Sequence, residues 1–286
     1  MHHKLYIIIV TWNGEKYIYD CLSSVYNQPE LDFGVIVVDN GSNDRTVEII
    51  KEKFGNVTLI ENKKNLGFAG GNNIGIKKAL SLGADYVALL NQDTEVSNNF
   101  VSACVNYLAD HKDAGMVSPI VLYPNNNRIW FAGSRIFRGV EILKHPTTKV
   151  GEHINKKAIM NDEVKSFGAD WLSGCALFIR KSVFDKIGFI DEKFFMYGED
   201  VDFSLRAVKA GYKLGVVNST TIIHKEELNT KLKINSYLFK KAAYMIKARW
   251  TIVHRYYGFK EKCYYIIKLV YTPFFQLIYA VRKIIS

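Results

Sequence analysis

Residues 5–15, LYIIIVTWNGE, decide the architecture. Residues 5–10 form a short apolar run rich in β-branched side chains, the pattern of a strand buried on both faces. The run breaks abruptly into Thr11-Trp12-Asn13-Gly14-Glu15. The same alternation repeats downstream: 35–38, 57–60 and 86–90 read as strands, and 15–26, 44–54 and 71–82 between them read as helices. Ser42 or Asn43 is expected to cap the helix that begins near Asp44, whose carboxylate sits at the positive end of the helix dipole. A βαβαβαβ order implies an α/β fold with a mostly parallel sheet covered by helices on both faces. Ligands of such sheets bind outside the carboxyl ends of the strands.

Every one of those ends is polar. Strand two exits into Asp39-Asn40-Gly41-Ser42, strand three into Glu61-Asn62 and then 65–73, and strand four into Asn91-Gln92-Asp93-Thr94-Glu95. A single exit of this kind needs only turn chemistry. Four on one edge point to a ligand crevice. Further along, loop signals at 124–127 and 145–148 make 123–168 an insertion or a pair of hairpins. Residues 170–179 read as a turn and a buried strand, and 182–187 as a short helix. A longer helix over 201–210 ends at Gly211, and 214–217 is the last strand before Thr220–His224.

The chain has 286 residues, 48% hydrophobic and 23% charged, which excludes disorder as its main state. Cys21, Cys104, Cys175 and Cys263 are far apart without a CxxC pair, arguing against a zinc knuckle or disulfide framework and fitting a reducing compartment. The first apolar run is too short for a secretory signal. The net charge of +10 is localised: residues 1–234 hold 28 basic and 27 acidic groups, while 235–286 hold ten basic residues and one acid, Glu261. A nucleic-acid binder would spread that charge over its body, and no RNP-like or helix-turn-helix pattern occurs. The basic tail, which also carries thirteen aromatics, reads instead as an attachment device.

The crevice lacks a G-x-G-x-x-G turn after strand one, which disfavours a dehydrogenase, and the chain has no P-loop. Asp39 can accept a hydrogen bond from a base or a ribose hydroxyl, which suits a nucleotide held without a glycine phosphate loop. Asn91-Gln92-Asp93 offers oxygen ligands for Mg²⁺ or Mn²⁺ bridging to a diphosphate, with Asp93 the natural ligand. His224 either closes that coordination sphere or is a buried, satisfied histidine. Glu199 and Asp200 stand at a helix start behind Gly198; they are an acidic cap or, beside a sugar, a general base.

Taken together, IIIVTWNGEKYIYDCLSSVYNQ, VIVVDNGSNDRT, NLGFAGGNNIGI, YVALLNQDTEV, WLSGCALFIRKSVFDKIGFIDEKFFMYGEDVDFSLRAVKAGY and IIHKE resemble a family-2 glycosyltransferase of the GT-A fold, closest to its rhamnosyltransferase-like branch. The likeness covers roughly residues 4–225. It implies that Thr11, Asn13 and Glu15 line the nucleotide pocket, that Asp39 binds the base, and that Gly70, Gly71 and Asn73 let the backbone approach the nucleotide. It places Asn91 and Asp93 at the family's D-x-D motif, makes His224 a late metal ligand and Asp200 the base, and gives Glu199 an orienting role. Trp171, Ser173 and Gly174 would border the acceptor. The cofactor would be Mn²⁺ or Mg²⁺, and the reaction a single displacement with inversion. Two departures stand out. Asn91 replaces the first acid of D-x-D, and Ile246 precedes Arg249-Trp250 where processive members carry Q-x-x-R-W, so one sugar is added and the product released.

The resulting organisation is a catalytic domain over 1–234, with a nucleotide half to 120 and an acceptor half from 121, and a helical appendage over 235–286. The tail is expected to lie on an anionic membrane leaflet, with a cap on the body or a homodimer contact as alternatives. The donor would be dTDP-rhamnose or a UDP-sugar and the acceptor a saccharide, lipid-linked or cell-surface, built at the cytoplasmic face of the plasma membrane. The competing reading is a nucleotide-sugar-binding protein without transferase activity.

Overall fold

The computed structural model describes residues 4–29, 32–124, 128–137, 141–143, 169–225 and 236–267. Strands β1 (Leu5–Thr11), β2 (Phe33–Asp39), β3 (Thr58–Glu61) and β4 (Tyr86–Asn91) pair in parallel. Their crossovers are α1 (Ile18–Tyr26), α2 (Thr46–Lys53) and α3 (Gly67–Ser81). Then follow β5 (Thr94–Val96), α4 (Phe100–Asp110), β6 (Ala114–Leu122), β7 (Ile129–Phe131) and the hairpin of β8 (Arg135–Phe137) with β9 (Glu141–Leu143). The remaining elements are β10 (Ala176–Arg180), α5 (Lys181–Ile187), α6 (Glu199–Lys209), β11 (Lys213–His224), α7 (Ser236–Tyr256) and α8, 259–267. The main sheet runs β3-β2-β1-β4-β10-β6-β11-β5, with β7 on β6. Because β10 is antiparallel to both its neighbours, the sheet is parallel up to β4 and mixed beyond it.

The apolar run at 5–10 explains the centre. Ile7, Ile8 and Ile9 are all fully buried, so side chains on both faces of β1 are covered, each worth about 1.5–3 kcal/mol. Helix α3 can lie close on β1 because it presents glycine there. A Cβ at Gly75 would stand 2.5 Å from Ile8 Cγ2, and one at Gly71 2.7 Å from Val10 Cγ1. The strand order reverses at β1, which has β2 on one side and β4 on the other. The crevice therefore opens where β1 and β4 end, at Thr11 and Asn91.

Three local expectations are corrected. Neither Ser42 nor Asn43 caps α2: Asp44 Oδ1 accepts from the Thr46 N–H (3.1 Å) and hydroxyl (2.5 Å), while the Ser42 hydroxyl donates to Asp39 Oδ1 (2.5 Å). Helix α3 starts at Gly67 rather than 71, since the glycines that look like a loop form its buried first turns. The last strand runs unbroken from Lys213 to His224, with a register shift between Val217 and Thr221 absorbing the expected gap. The turn at 145–148, most of 123–168 and the tail from 268 lie outside the described residues.

Candidate active site

Strand pairing joins two segments far apart in the chain. His224 ends β11 opposite Thr94 of β5, and the Lys225 N–H donates to the Asp93 carbonyl at 2.7 Å. The register brings His224 Nε2 to 3.3 Å from Asp93 Oδ1. Two ligands of one octahedral ion at about 2.1 Å stand about 3 Å apart, so an imidazole and a carboxylate at this spacing suit a divalent cation. Among the described residues no third carboxylate, thiolate or imidazole joins them. Phosphate oxygens and water would fill the rest of the shell, as is usual for Mg²⁺ and Mn²⁺ at phosphate sites. The donor set fits the ion.

Across the same cavity lies the acidic pair. Tyr197 (φ 71°) and Gly198 (φ 85°) turn the chain sharply before α6, which then presents Glu199 and Asp200 on its first turn. A side chain in the left-handed region is strained, and at residue 198 a Cβ would also stand 2.9 Å from Ala248 Cβ. Asp200 Oδ2 accepts from the Gly174 N–H (3.1 Å) and Oδ1 from the Val201 N–H (2.8 Å). Glu199 is 6% exposed, and its Oε2 has no partner among the described residues. Burial pushes both carboxyl groups above the usual range. At Glu199 the neighbouring Asp200 charge adds to the rise, and at Asp200 the two backbone donors oppose it.

The cavity between these groups holds about 610 Å³. Of the residues singled out in the sequence, Thr11, Asn91, Asp93, Trp171, Ser173, Gly174, Glu199, Asp200 and His224 line it. The Thr11 hydroxyl donates to Gln92 Oε1 at 2.5 Å, tying the β1 exit to the β4 exit. Trp171 keeps a buried indole Nε1, and His224 a buried Nδ1, without a partner among the described residues.

Six others lie off the cavity wall. Asp39 accepts from the Gly41 and Ser42 N–H groups, both at 3.0 Å, and from the Ser42 hydroxyl. Asn13 and Glu15 are stitched to the start of α2 through Asn43 and Arg45. Gly70 and Gly71 pack within α3. Asn73 uses its amide to hold the chain at Ile190 and Glu192, at 2.8 and 2.9 Å.

Sequence reading missed Gln92 as a wall residue, although it stands inside the Asn91–Asp93 exit, and of the far wall it offered only the alternative of a tail capping the body. That wall is α7, which presents Met245, Ala248, Arg249 and Ile252 to the cavity. The i, i+3, i+4, i+7 spacing of these four was a readable helix-face signal, obscured by the basic and aromatic residues around it.

A family model described as glycosyl transferase family 2 matches residues 6–188. The N-acetylglucosaminyl-diphospho-decaprenol L-rhamnosyltransferase of Mycobacterium tuberculosis is 26% identical over 279 residues, covering 88% of this chain and 90% of that protein. Among solved structures, the mannosyltransferase PcManGT from Pyrobaculum calidifontis in complex with GDP-Man and Mn²⁺ matches with a TM-score of 0.60. Its identity is 18%, over 93% of this chain and 69% of that one. S. aureus TarS 1-349 matches at 0.55 with 17% identity, over 78% of this chain and 60% of that structure's length. At such identities the structures speak for the fold alone, which is GT-A. The extent of the family match and the shared fold together make this chain a member of glycosyl transferase family 2 and a glycosyltransferase.

Proposed function

We propose that this glycosyltransferase moves a rhamnosyl group from dTDP-rhamnose, or a hexosyl group from a UDP-sugar, onto a lipid-linked saccharide, with inversion and one sugar per encounter. The observation that carries this reading is that Asp93 with His224 and Glu199 with Asp200 line one cavity. The rhamnosyl donor and the lipid carrier are supported by likeness to the mycobacterial enzyme, whose name specifies both.

The two carboxylates divide the work by their surroundings. Burial raises both carboxyl groups; two backbone N–H groups oppose that rise at Asp200, while the Asp200 charge adds to it at Glu199. Asp200 removes the proton of the acceptor hydroxyl as it attacks the anomeric carbon, from the face opposite the departing diphosphate. Glu199 orients that hydroxyl. Asp93 and His224 would hold a divalent ion whose charge offsets that of the leaving diphosphate. The Trp171 indole and the Ser173–Gly174 turn border the acceptor.

The test is Asp200→Asn, assayed for dTDP release from dTDP-rhamnose with Mn²⁺ and an N-acetylglucosaminyl-diphospho-lipid acceptor. Turnover should fall by about 10²–10⁴-fold with dTDP affinity retained. Near-normal turnover would refute the base assignment.

The tail offers a route to a membrane-borne acceptor. Ile246, Trp250, Phe259, Ile266 and Ile267 are exposed, beside Lys247, Arg249 and Lys260. No helix among the described residues is long and apolar enough to cross a bilayer. Peripheral attachment to the anionic inner leaflet fits this surface, at about 1 kcal/mol per basic residue near the headgroups. Sedimentation with phosphatidylserine vesicles, but not with phosphatidylcholine alone, is the expected result.

A further inference from the structure

The tail helix does more than flank the cavity. Asp202, fully buried in α6, receives side-chain donors from two helices. Arg206 Nε donates to Oδ2 at 2.9 Å, and Arg255 Nη1 and the Tyr256 hydroxyl both donate to Oδ1 at 2.8 Å. Arg255 Nη2 also reaches Asp191 Oδ2 at 2.6 Å, so one guanidinium at the end of α7 spans α6 and the segment leading into it. The two acids and two arginines balance in charge. Phe194, Val201, Ala248 and Ile252 form an apolar cluster that seals the same contact, with Trp171 packed against it.

The first turn of α6 has reason to need such a grip. Glu199 is held out of water there beside the Asp200 carboxylate, and the preceding backbone is strained at Tyr197. Unwinding that turn toward solvent would relieve both costs. Asp202 is two residues from Asp200, and residues so spaced do not share a helix face. An anchor on Asp202 therefore fixes the rotation of α6 without touching the chemistry.

We propose that Arg255 and Tyr256 are positioning residues: by gripping Asp202 from α7 they hold α6 in the rotation that aims Asp200 at the acceptor hydroxyl. The basic tail is then a working part of the active site as well as an appendage. The inference rests on Asp200 being the base, and displacement of a reacting group by about 1 Å costs on the order of 10²-fold in rate.

The experiment uses the full chain with Arg255→Met, Arg255→Lys and Tyr256→Phe, assayed for dTDP release from dTDP-rhamnose with an N-acetylglucosaminyl-diphospho-lipid acceptor, and for dTDP affinity by calorimetry. In Arg255→Met, kcat should fall about 10–100-fold while donor KM and dTDP affinity stay within about threefold, because the β1–β4 exits do not depend on α7. Lysine should recover part of the loss. Tyr256→Phe should cost a smaller fraction of kcat, in the same split, and decides the matter if Arg255→Met does not fold. A kcat within twofold of wild type, or parallel losses of kcat and dTDP affinity, would overturn the proposal. If Asp200→Asn is inactive while Arg255→Met turns over normally, this inference alone fails. If Asp200→Asn is active, the base assignment fails first.

Discussion

The two rims of the crevice are built in opposite ways. On the β1–β2 rim the chain satisfies itself. The Asn13 N–H donates to Ser42 Oγ (2.9 Å), the Gly14 N–H to Thr46 Oγ1 (2.7 Å), the Glu15 N–H to Asp44 Oδ2 (3.1 Å) and the Arg45 N–H to Glu15 Oε2 (3.0 Å). Around the rest of the cavity, buried atoms of Trp171, Glu199 and His224 have no partner among the described residues. Such orphans cost about 1–3 kcal/mol each, and folded proteins rarely keep them without use. One rim is closed by its own hydrogen bonds, whereas the other keeps buried polar atoms without partners among the described residues.

The sharpest way to break that contrast is to remove any divalent ion that Asp93 and His224 would hold. Chelation should lower turnover by about 10²-fold or more, with recovery on adding Mn²⁺. A chelated enzyme with full activity would leave Asp93 and His224 as a simple polar pair.

Next in size is a change beneath the closed rim. Gly75→Val forces a side chain into Ile8 and should destabilise the fold by about 1–3 kcal/mol in urea titrations. The donor KM of the folded fraction should be unchanged, since α3 packs under β1 and Gly75 lines no part of the cavity.

A pH series probes the other rim. Because burial raises the folded-state pKa of Glu199, its contribution to stability is present below the ordinary carboxyl range and is lost as pH climbs toward about 8. Glu199→Gln should therefore gain on wild type by on the order of 1–3 kcal/mol as pH rises through that window. A stability difference that does not change with pH would mean the carboxyl is solvated.

The smallest effect tests the stitching itself. Ser42→Ala removes a donor to Asp39 and an acceptor for the Asn13 N–H, at an expected cost of about 0.5–1.5 kcal/mol with turnover retained. A loss of nucleotide affinity well beyond the loss of stability would instead move this rim into the binding machinery.

Much of the molecule is legible in one dimension. The four parallel strands, their crossovers and the polar exits follow from apolar runs of strand length and from turn residues, which are local properties. So does the start of α6, marked by a glycine before two acids. Gly71 and Asn73 sit where expected along the chain, yet one fits α3 against Val10 and the other ties down Ile190, because the direction a side chain takes depends on what packs beside it.

By itself, the sequence determined the α/β class, the polar exits along one sheet edge and the acidic pair at the start of α6, since periodicity and turn chemistry act over a few residues. Only tertiary structure decided that His224 meets Asp93 through the pairing of β11 with β5. It alone decided that α7 forms the far wall and grips Asp202. Contacts between segments so distant along the chain depend on sheet register and helix docking, and no local pattern of residues encodes either.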